Sequence, residues 1–449
     1  MVHKTKDIHH LPPDDTPSGW VDPSELSTIG SRAHHDRVTL FDWTVVGAGF
    51  TGLAAARRLA ELNPNDTVAL IDAKPVGWGA SGRNSGFIID LPHKFDLDSD
   101  DADRLSAIMR LNSQAITDLE GHVKATGIEC GWSPVGKLQG AVRERGTGKM
   151  RTFVKALEKI GQPYTKLDRA QVAQIIGTDY YAGAIHTPGC VLMNPVRLTR
   201  GLARSLPKNV TLFDGCPVVR FERESRGFGL TLRSRGTTLE ISTSSVLMCT
   251  NAFTPEFGLL KNRIVPVITF ASMTRPLSDS EMEAYGGQLD WGLTPADPGG
   301  TTLRMTQDRR LLVRNQYDYA GHYGVQDRSL EGVRQKHRGA FDKRYPQLKK
   351  VPFDSTWGGV CGLSRNHVSY FGEIESDVWN SSCHNGVGVA RGTISGRLLA
   401  EAASGQSSPM LQDMFAVSNT PSLNPPDPFL GLGVRARLKL AAWESKEEI

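Results

Sequence analysis

The stretch that most constrains this chain is VVGAGFTGLAAARRLA, residues 45–60. Gly47-Ala48-Gly49-Phe50-Thr51-Gly52 forms a G-x-G-x-x-G between the apolar run LFDWTVVG and a segment with Leu53, Ala56 and Leu59 at helical spacing. Asn63-Pro64-Asn65-Asp66 ends that helix, and TVALID, residues 67–72, is a second buried strand closing on Asp72. The expected unit is strand, helix, strand. In such a unit Gly47 permits the tight turn, Gly49 lets backbone approach a pyrophosphate, and Gly52 lets helix and strand pack closely. The helix N-terminus then offers its free N–H groups to the phosphates. Asp72 stands where a carboxylate can accept bonds from adenosine ribose hydroxyls, which argues against a ribose 2′-phosphate.

A chain of 449 residues exceeds what one core usually supports, so two domains or one elaborate domain are expected. With 39% hydrophobic and 22% charged residues, disorder throughout is excluded. The net charge is only +4 and the basic residues are spread along the chain, so no nucleic-acid partner is expected. Residues 1–25 hold no apolar run and no stretch is long and apolar enough to span a bilayer, so neither a signal peptide nor a transmembrane segment is expected. Cys130, Cys190, Cys216, Cys249, Cys361 and Cys383 form no C-x-x-C pair. A zinc site or disulfide framework is therefore not expected, and a reduced, cytoplasmic setting is.

Residues 1–39 read as an extended arm whose His9–His10 and His34–His35 pairs are solvated loop rather than metal ligands. Helical spacing predicts helices over 101–126 and 147–161, and strands return from 181 onward. Strands alternate with helices in some parts and run together in others. The expected fold class is therefore α/β: a Rossmann-like nucleotide domain with an inserted β-rich α+β domain. The last segment follows a Pro-rich linker and sets Arg435, Arg437 and Lys439 among apolar residues. It reads as a docked terminal segment in preference to a membrane or partner anchor.

GWGASGRNSGF, residues 77–87, follows the acid-bearing strand closely. Together with VVGAGFTGLAAARRLA…VALIDAKPVGWGASGRNSGF it resembles the D-amino-acid-oxidase-like FAD-dependent oxidoreductases, in the branch of glycine, sarcosine and gamma-glutamylputrescine oxidases. GAIHTPGCVLMNPVRLTRGLA, SVLMCTNAFTPE, WGGVCGLSRNHVSYFGEI and HNGVGVARGTISGRLLAE resemble later segments of that family, so the likeness covers roughly residues 40–405. It implies an FAD-binding domain from 40–110, 190–263 and 355–415. It also implies a substrate domain from 111–189 and 264–354, with a tail over 416–449. Gly47, Gly49 and Gly52 would hold the pyrophosphate and Asp72 the ribose. Ser81, Gly82, Arg83 and Asn84 would line the flavin side, and Val218 would meet the adenine end through its backbone. Thr250 and Asn251 would lie near the dinucleotide. Gly386, Val387 and Gly388 would approach the isoalloxazine. Arg391 departs from the family's small-residue turn and faces either the flavin or solvent.

The resemblance implies removal of a hydride from a carbon next to an amine nitrogen, imine hydrolysis, and reoxidation by dioxygen with release of H2O2. The substrate is then an amine or amino acid, with gamma-glutamylated or secondary amines favoured. Two alternatives stay open: an amino- or hydroxy-acid dehydrogenase passing electrons to a quinone or carrier, and a non-catalytic FAD-binding module. In LLVRNQYDYAGHYG, Arg314 could fork onto a substrate carboxylate, with Tyr317 and Tyr319 as pocket walls and His322 and Tyr323 beyond. Regular alternation places Tyr317 and Tyr319 on one strand face and Arg314 on the other. His384 is the candidate proton-handling group, ahead of His367. Cys361 falls at or next to the place where one branch of the family bonds its flavin to cysteine. Covalent FAD and a small buried hydrophobe are both open there, and Cys383 is a weaker version of the same thought.

Overall fold

The computed structural model describes residues 5–13, 15–29, 38–92, 102–234, 236–321, 323–324 and 327–449. The pair His34–His35 and His322 lie outside the described residues.

Two large sheets organise the chain. At the centre of the first, Val38–Val46 pairs in parallel with Val68–Asp72 on one side and with Thr237–Met248 on the other. Val210–Asp214 extends it beyond Val68–Asp72, again in parallel. Val68, Ala69, Leu70 and Ile71 are all fully buried. That is why this strand reads as a continuous apolar run: it is covered on both faces. The helix Phe50–Leu62 packs on the sheet and against a late helix, Ala390–Ala403. Glycine permits that crossing, since a Cβ at Gly396 would lie 1.9 Å from the Thr51 carbonyl oxygen. The long strand Thr237–Met248 also pairs with Phe228–Ser234 along its first half and with Val378–Ser382 at its end.

The second sheet has eight strands, in the order Phe353–Leu363, Val265–Thr274, Leu311–Tyr319, Thr302–Met305, Trp291–Pro295, Lys137–Ala141, Gly183–Thr187, Thr165–Asp168. Leu303, Met305 and Val313 join Phe341, Tyr345 and Phe353 in a core beneath it, on the side covered by the helix Asp327–Arg344. Its opposite face looks toward the glycine turn.

Three placements differ from the sequence expectation, and the tail docks as expected. Phe353–Leu363, expected with the nucleotide domain, is an edge of the second sheet. Residues 111–126, expected with the substrate domain, belong to the helix Ala102–Thr126. Its Leu111, Ala115 and Leu119 pack into the core of the first sheet. Within the arm, Thr5–Asp7 adds a strand beside Val218–Arg223, and Trp20 is buried with its Nε1 donating to the Asn84 carbonyl at 2.8 Å. The tail forms a helix, Phe429–Glu444, against Leu311–Tyr319. It is anchored by the Glu448 carboxylate, which accepts from the Val142 and Arg143 N–H groups at 3.0 and 2.9 Å. No described helix is long and apolar enough to cross a membrane.

Candidate active site

A cavity of about 1410 Å³ runs from the glycine turn to the exposed face of the second sheet and out past the C-terminal helix. The turn follows from its glycines. Gly47 sits at φ +103°, where side chains are strained, and a Cβ there would lie 2.5 Å from the Cys249 carbonyl oxygen. A Cβ at Gly52 would lie 1.6 Å from the Gly47 carbonyl oxygen, so only glycine lets the helix start this close to the strand. Gly49 caps the helix with no side-chain acceptor, and Ser81 Oγ accepts from Phe50 N at 3.1 Å. Asp72 closes the turn from the neighbouring strand. Its carboxylate accepts from Ala48 N at 2.7 Å and Lys74 N at 3.0 Å, and burial pushes its pKa up to about 6. A helix N-terminus, a backbone no Cβ could enter and an acid at the next strand end together fit a dinucleotide pyrophosphate and ribose. Val218, Thr250 and Asn251 line the same cavity; Asn251 lies at φ +45° and its Oδ1 accepts from Cys383 N.

On the expected flavin side, Ser81, Arg83 and Asn84 line the cavity, as do Gly386, Val387 and Gly388. Gly82 does not: a Cβ there would meet the Gly77 carbonyl and Val196, so it is a packing glycine. Arg83 is largely a clamp between elements, donating to the Trp78 carbonyl at 2.6 Å and the Gly358 carbonyl at 2.7 Å. Burial holds its pKa down to about 10, and its Nη2 is buried with no hydrogen-bond partner. Asn84 donates to the Ser81 carbonyl and accepts from Gly86 N, which fixes the loop. Arg391 faces neither solvent nor the cavity; it is buried on the helix behind the turn.

The second sheet brings Arg314 and Tyr317 to the cavity together, against the alternation expected for a regular strand. The reason is a β-bulge. Phe270 pairs with Gln316 but Ala271 pairs with Arg314, leaving Asn315 as an extra residue. The bulge flips the parity, so Arg314 joins the face that carries Tyr317, Thr269 and Cys361. Arg314 Nη2 donates to the Tyr317 hydroxyl at 3.2 Å, the guanidinium lies 5.5 Å from the ring, and its Nε is buried without a partner. Tyr319 is not a cavity wall. Its hydroxyl donates to Asp427 at 2.6 Å and docks the tail. Tyr323 is buried against Phe253 and donates to Glu256. Glu256 also pairs with His10 at 3.0 Å, while His9 is exposed.

His384 lines the cavity, but its Nε2 is 3.0 Å from Thr51 Oγ1, tying the loop after Val378–Ser382 to the helix Phe50–Leu62. Burial, helped by the charge of Arg391, holds its pKa down to about 3, so the ring is neutral and a weak base. His367 sits in a turn at φ +57° on the cavity wall. Cys361 lies on the same wall. Its Sγ donates to the Val267 carbonyl at 3.4 Å, and burial pushes the thiol up to about 11. Cys383 is fully buried, with its thiol pushed up to about 12. At both positions burial leaves the nucleophilic thiolate scarce at neutral pH. Lys137, which the sequence did not single out, is a buried cation on the same cavity wall.

The family pattern described as FAD dependent oxidoreductase matches residues 42–402. The chain is 26% identical to the probable oxidoreductase OrdL of Haemophilus influenzae, over 81% of this chain and 83% of that protein. It is 25% identical to the gamma-glutamylputrescine oxidoreductase of Escherichia coli, over 80% of this chain and 83% of that protein. Glycine oxidase from Geobacillus kaustophilus shares the fold with a TM-score of 0.68 at 19% identity, covering 82% of this chain and 96% of that one.

Proposed function

The chain belongs to the FAD-dependent oxidoreductase family, and from that premise we propose that it oxidises the carbon–nitrogen bond of a carboxylate-bearing amine, with dioxygen as the final electron acceptor. The substrate class spans amino acids and secondary or gamma-glutamylated amines. The observation that carries this reading is Arg314: a guanidinium with a buried, unpartnered Nε, on the wall of the cavity that also holds the glycine turn. Such a fork suits a substrate carboxylate and fixes the neighbouring carbon in one orientation. Gly47, Gly49, Asp72, Ser81, Thr250, Asn251 and Gly386–Gly388 would hold the cofactor. When bound, FAD supplies the hydride acceptor.

The chain's own residues then have three tasks. Arg314 and Tyr317 orient the carboxylate end. Val265, Val267 and Leu363 give the cavity an apolar wall that excludes water. His384, held at a pKa of about 3 and bonded to Thr51, cannot strip a proton from an ammonium group. Reaction requires the free amine, which a partly dry pocket favours over the ammonium form. Overall, amine plus water plus dioxygen gives a carbonyl compound, a released amine or ammonia, and hydrogen peroxide.

The test compares an amino acid with its decarboxylated amine on the wild type and on Arg314→Met, measuring carbonyl and peroxide together. One peroxide per carbonyl is expected. Loss of a charge-assisted fork worth about 2–3 kcal/mol lowers kcat/KM for the amino acid by roughly 30- to 150-fold. The decarboxylated amine is unaffected. Equal losses on both substrates would remove Arg314 from carboxylate binding, and carbonyl without peroxide would replace dioxygen by another acceptor.

A further inference from the structure

The register of the second sheet places a polar row across four strands. Thr302 pairs with Arg314. Leu303 pairs with Leu293, which sets Thr302 opposite Thr294. Thr294 pairs with Gln139. Lys137 is two residues before Gln139 on the same strand and so shares its face. All five line the one cavity. The row thus leads from one cation to the other, and three strand steps with the two-residue offset of Lys137 make about 16 Å from backbone to backbone.

Arg314 marks the end near the expected flavin ring, because its charge is felt by Cys361. Lys137 marks the other end. Its Nζ lies 3.3 Å from Gln139 Oε1, 3.5 Å from Thr294 Oγ1 and 5.4 Å from the centre of the Phe153 ring. It forms no ion pair among the described residues, although it is only 6% exposed. The titratable groups that act on it are Cys190 and Asp90. Burial raises the pKa of both, and it lowers that of Lys137. The hydrogen-bond partners of the amine, Gln139 and Thr294, are neutral and at long distance, so a buried amine on the cavity wall has donors left for an anion in the cavity. Between the two cations, the hydroxyl of Thr302 is buried and has no hydrogen-bond partner, although the residue is only 2% exposed. The middle of the row is therefore also short of a polar partner.

We propose that Lys137, with Gln139 and Thr294, forms a distal anion subsite of this cavity, so that the substrate is an elongated amine carrying a second carboxylate at its far end. This rests on the reading of Arg314 as the carboxylate fork near the reacting carbon. A dicarboxylate that meets both cations must therefore be elongated. A small amino acid would fill only the Arg314 end.

The experiment measures dissociation constants on the FAD-loaded protein, from perturbation of the flavin absorbance, without turnover. The probes are suberate, glutarate and octanoate, with wild type, Lys137→Met and Lys137→Arg. Suberate reaches both cations, glutarate is too short, and octanoate lacks the second charge. Suberate is expected to bind at least about tenfold more tightly than octanoate or glutarate to the wild type. Lys137→Met abolishes that preference and Lys137→Arg retains it. An unchanged constant for octanoate in Lys137→Met shows that the variant is folded. The subsite is refuted if suberate has no advantage in the wild type, or if its advantage survives in Lys137→Met. Because binding is read without chemistry, a suberate preference in a protein whose flavin no amine reduces would sink the amine reading and leave the subsite standing.

Discussion

Gly52→Ala sets two effects of opposite sign against each other. By helix propensity alone, alanine in Phe50–Leu62 would stabilise by about 1 kcal/mol. The structure reverses the sign. The new Cβ would stand 1.6 Å from the Gly47 carbonyl oxygen and 2.9 Å from its carbon, both backbone atoms that cannot swing away. Ordinary contact requires about twice that separation from the oxygen. The helix start must therefore move off the turn by well over an ångström. Overpacking of this kind costs about 1–3 kcal/mol, and the displacement falls on the N–H groups proposed to face the pyrophosphate. A penalty of about 2 kcal/mol expressed in binding weakens FAD by roughly 30-fold. Gly121, in the helix Ala102–Thr126, has nothing within 4 Å of its Cβ position, so Gly121→Ala shows the propensity gain alone. The assay is FAD titration of the apoprotein by flavin fluorescence quenching, with urea midpoints for both variants. A Gly52→Ala protein that binds FAD as the wild type does would refute the assignment of this turn.

Three further outcomes follow from the geometry. Tyr319→Phe removes the bond to Asp427 and leaves substrate KM unchanged, whereas Tyr317→Phe, which strips Arg314 of its phenol partner, raises KM; steady-state kinetics separates them. His384 and His337 are both held by burial at pKa values of about 3, below the ordinary 6.5, so the unfolded chain binds protons that the folded chain does not. Their contribution is complete above pH 6.5 and is lost as pH falls toward 3, by up to about 1.4 kcal/mol per pH unit for each histidine. Urea midpoints should fall on acidification, and less steeply in His384→Gln; an unchanged slope would contradict the buried neutral ring. With the Cys361 thiol pushed up to about 11, FAD should be held without a covalent bond, and acid precipitation should leave the flavin in the supernatant.

The nucleotide half was readable because its signals are local. The glycine turn, the apolar runs on either side and Asp72 all lie within one short stretch, where spacing alone fixes their arrangement. The helix expected over 101–126 is found over Ala102–Thr126 for the same reason. The substrate half was not, because its information lies in register. Lys137, Thr294, Thr302 and Arg314 come from four distant strands, and only pairing sets them in one row. The single extra residue at Asn315 reversed the face of Arg314, and no propensity marks that bulge. Phe353–Leu363 reads as a strand from its sequence, but which sheet it joins depends on Val265–Thr274, to which it pairs. Tyr319 looked like a pocket wall because the residue it actually holds, Asp427, lies far along the chain.

The most direct test of the account is an anaerobic titration of the purified protein with amino acids, elongated secondary amines and matched hydroxy acids, following visible flavin absorbance. The account predicts a yellow protein whose flavin band is bleached by a carboxylate-bearing amine and restored by air. A protein that takes up no FAD, or one bleached only by hydroxy acids, would contradict it.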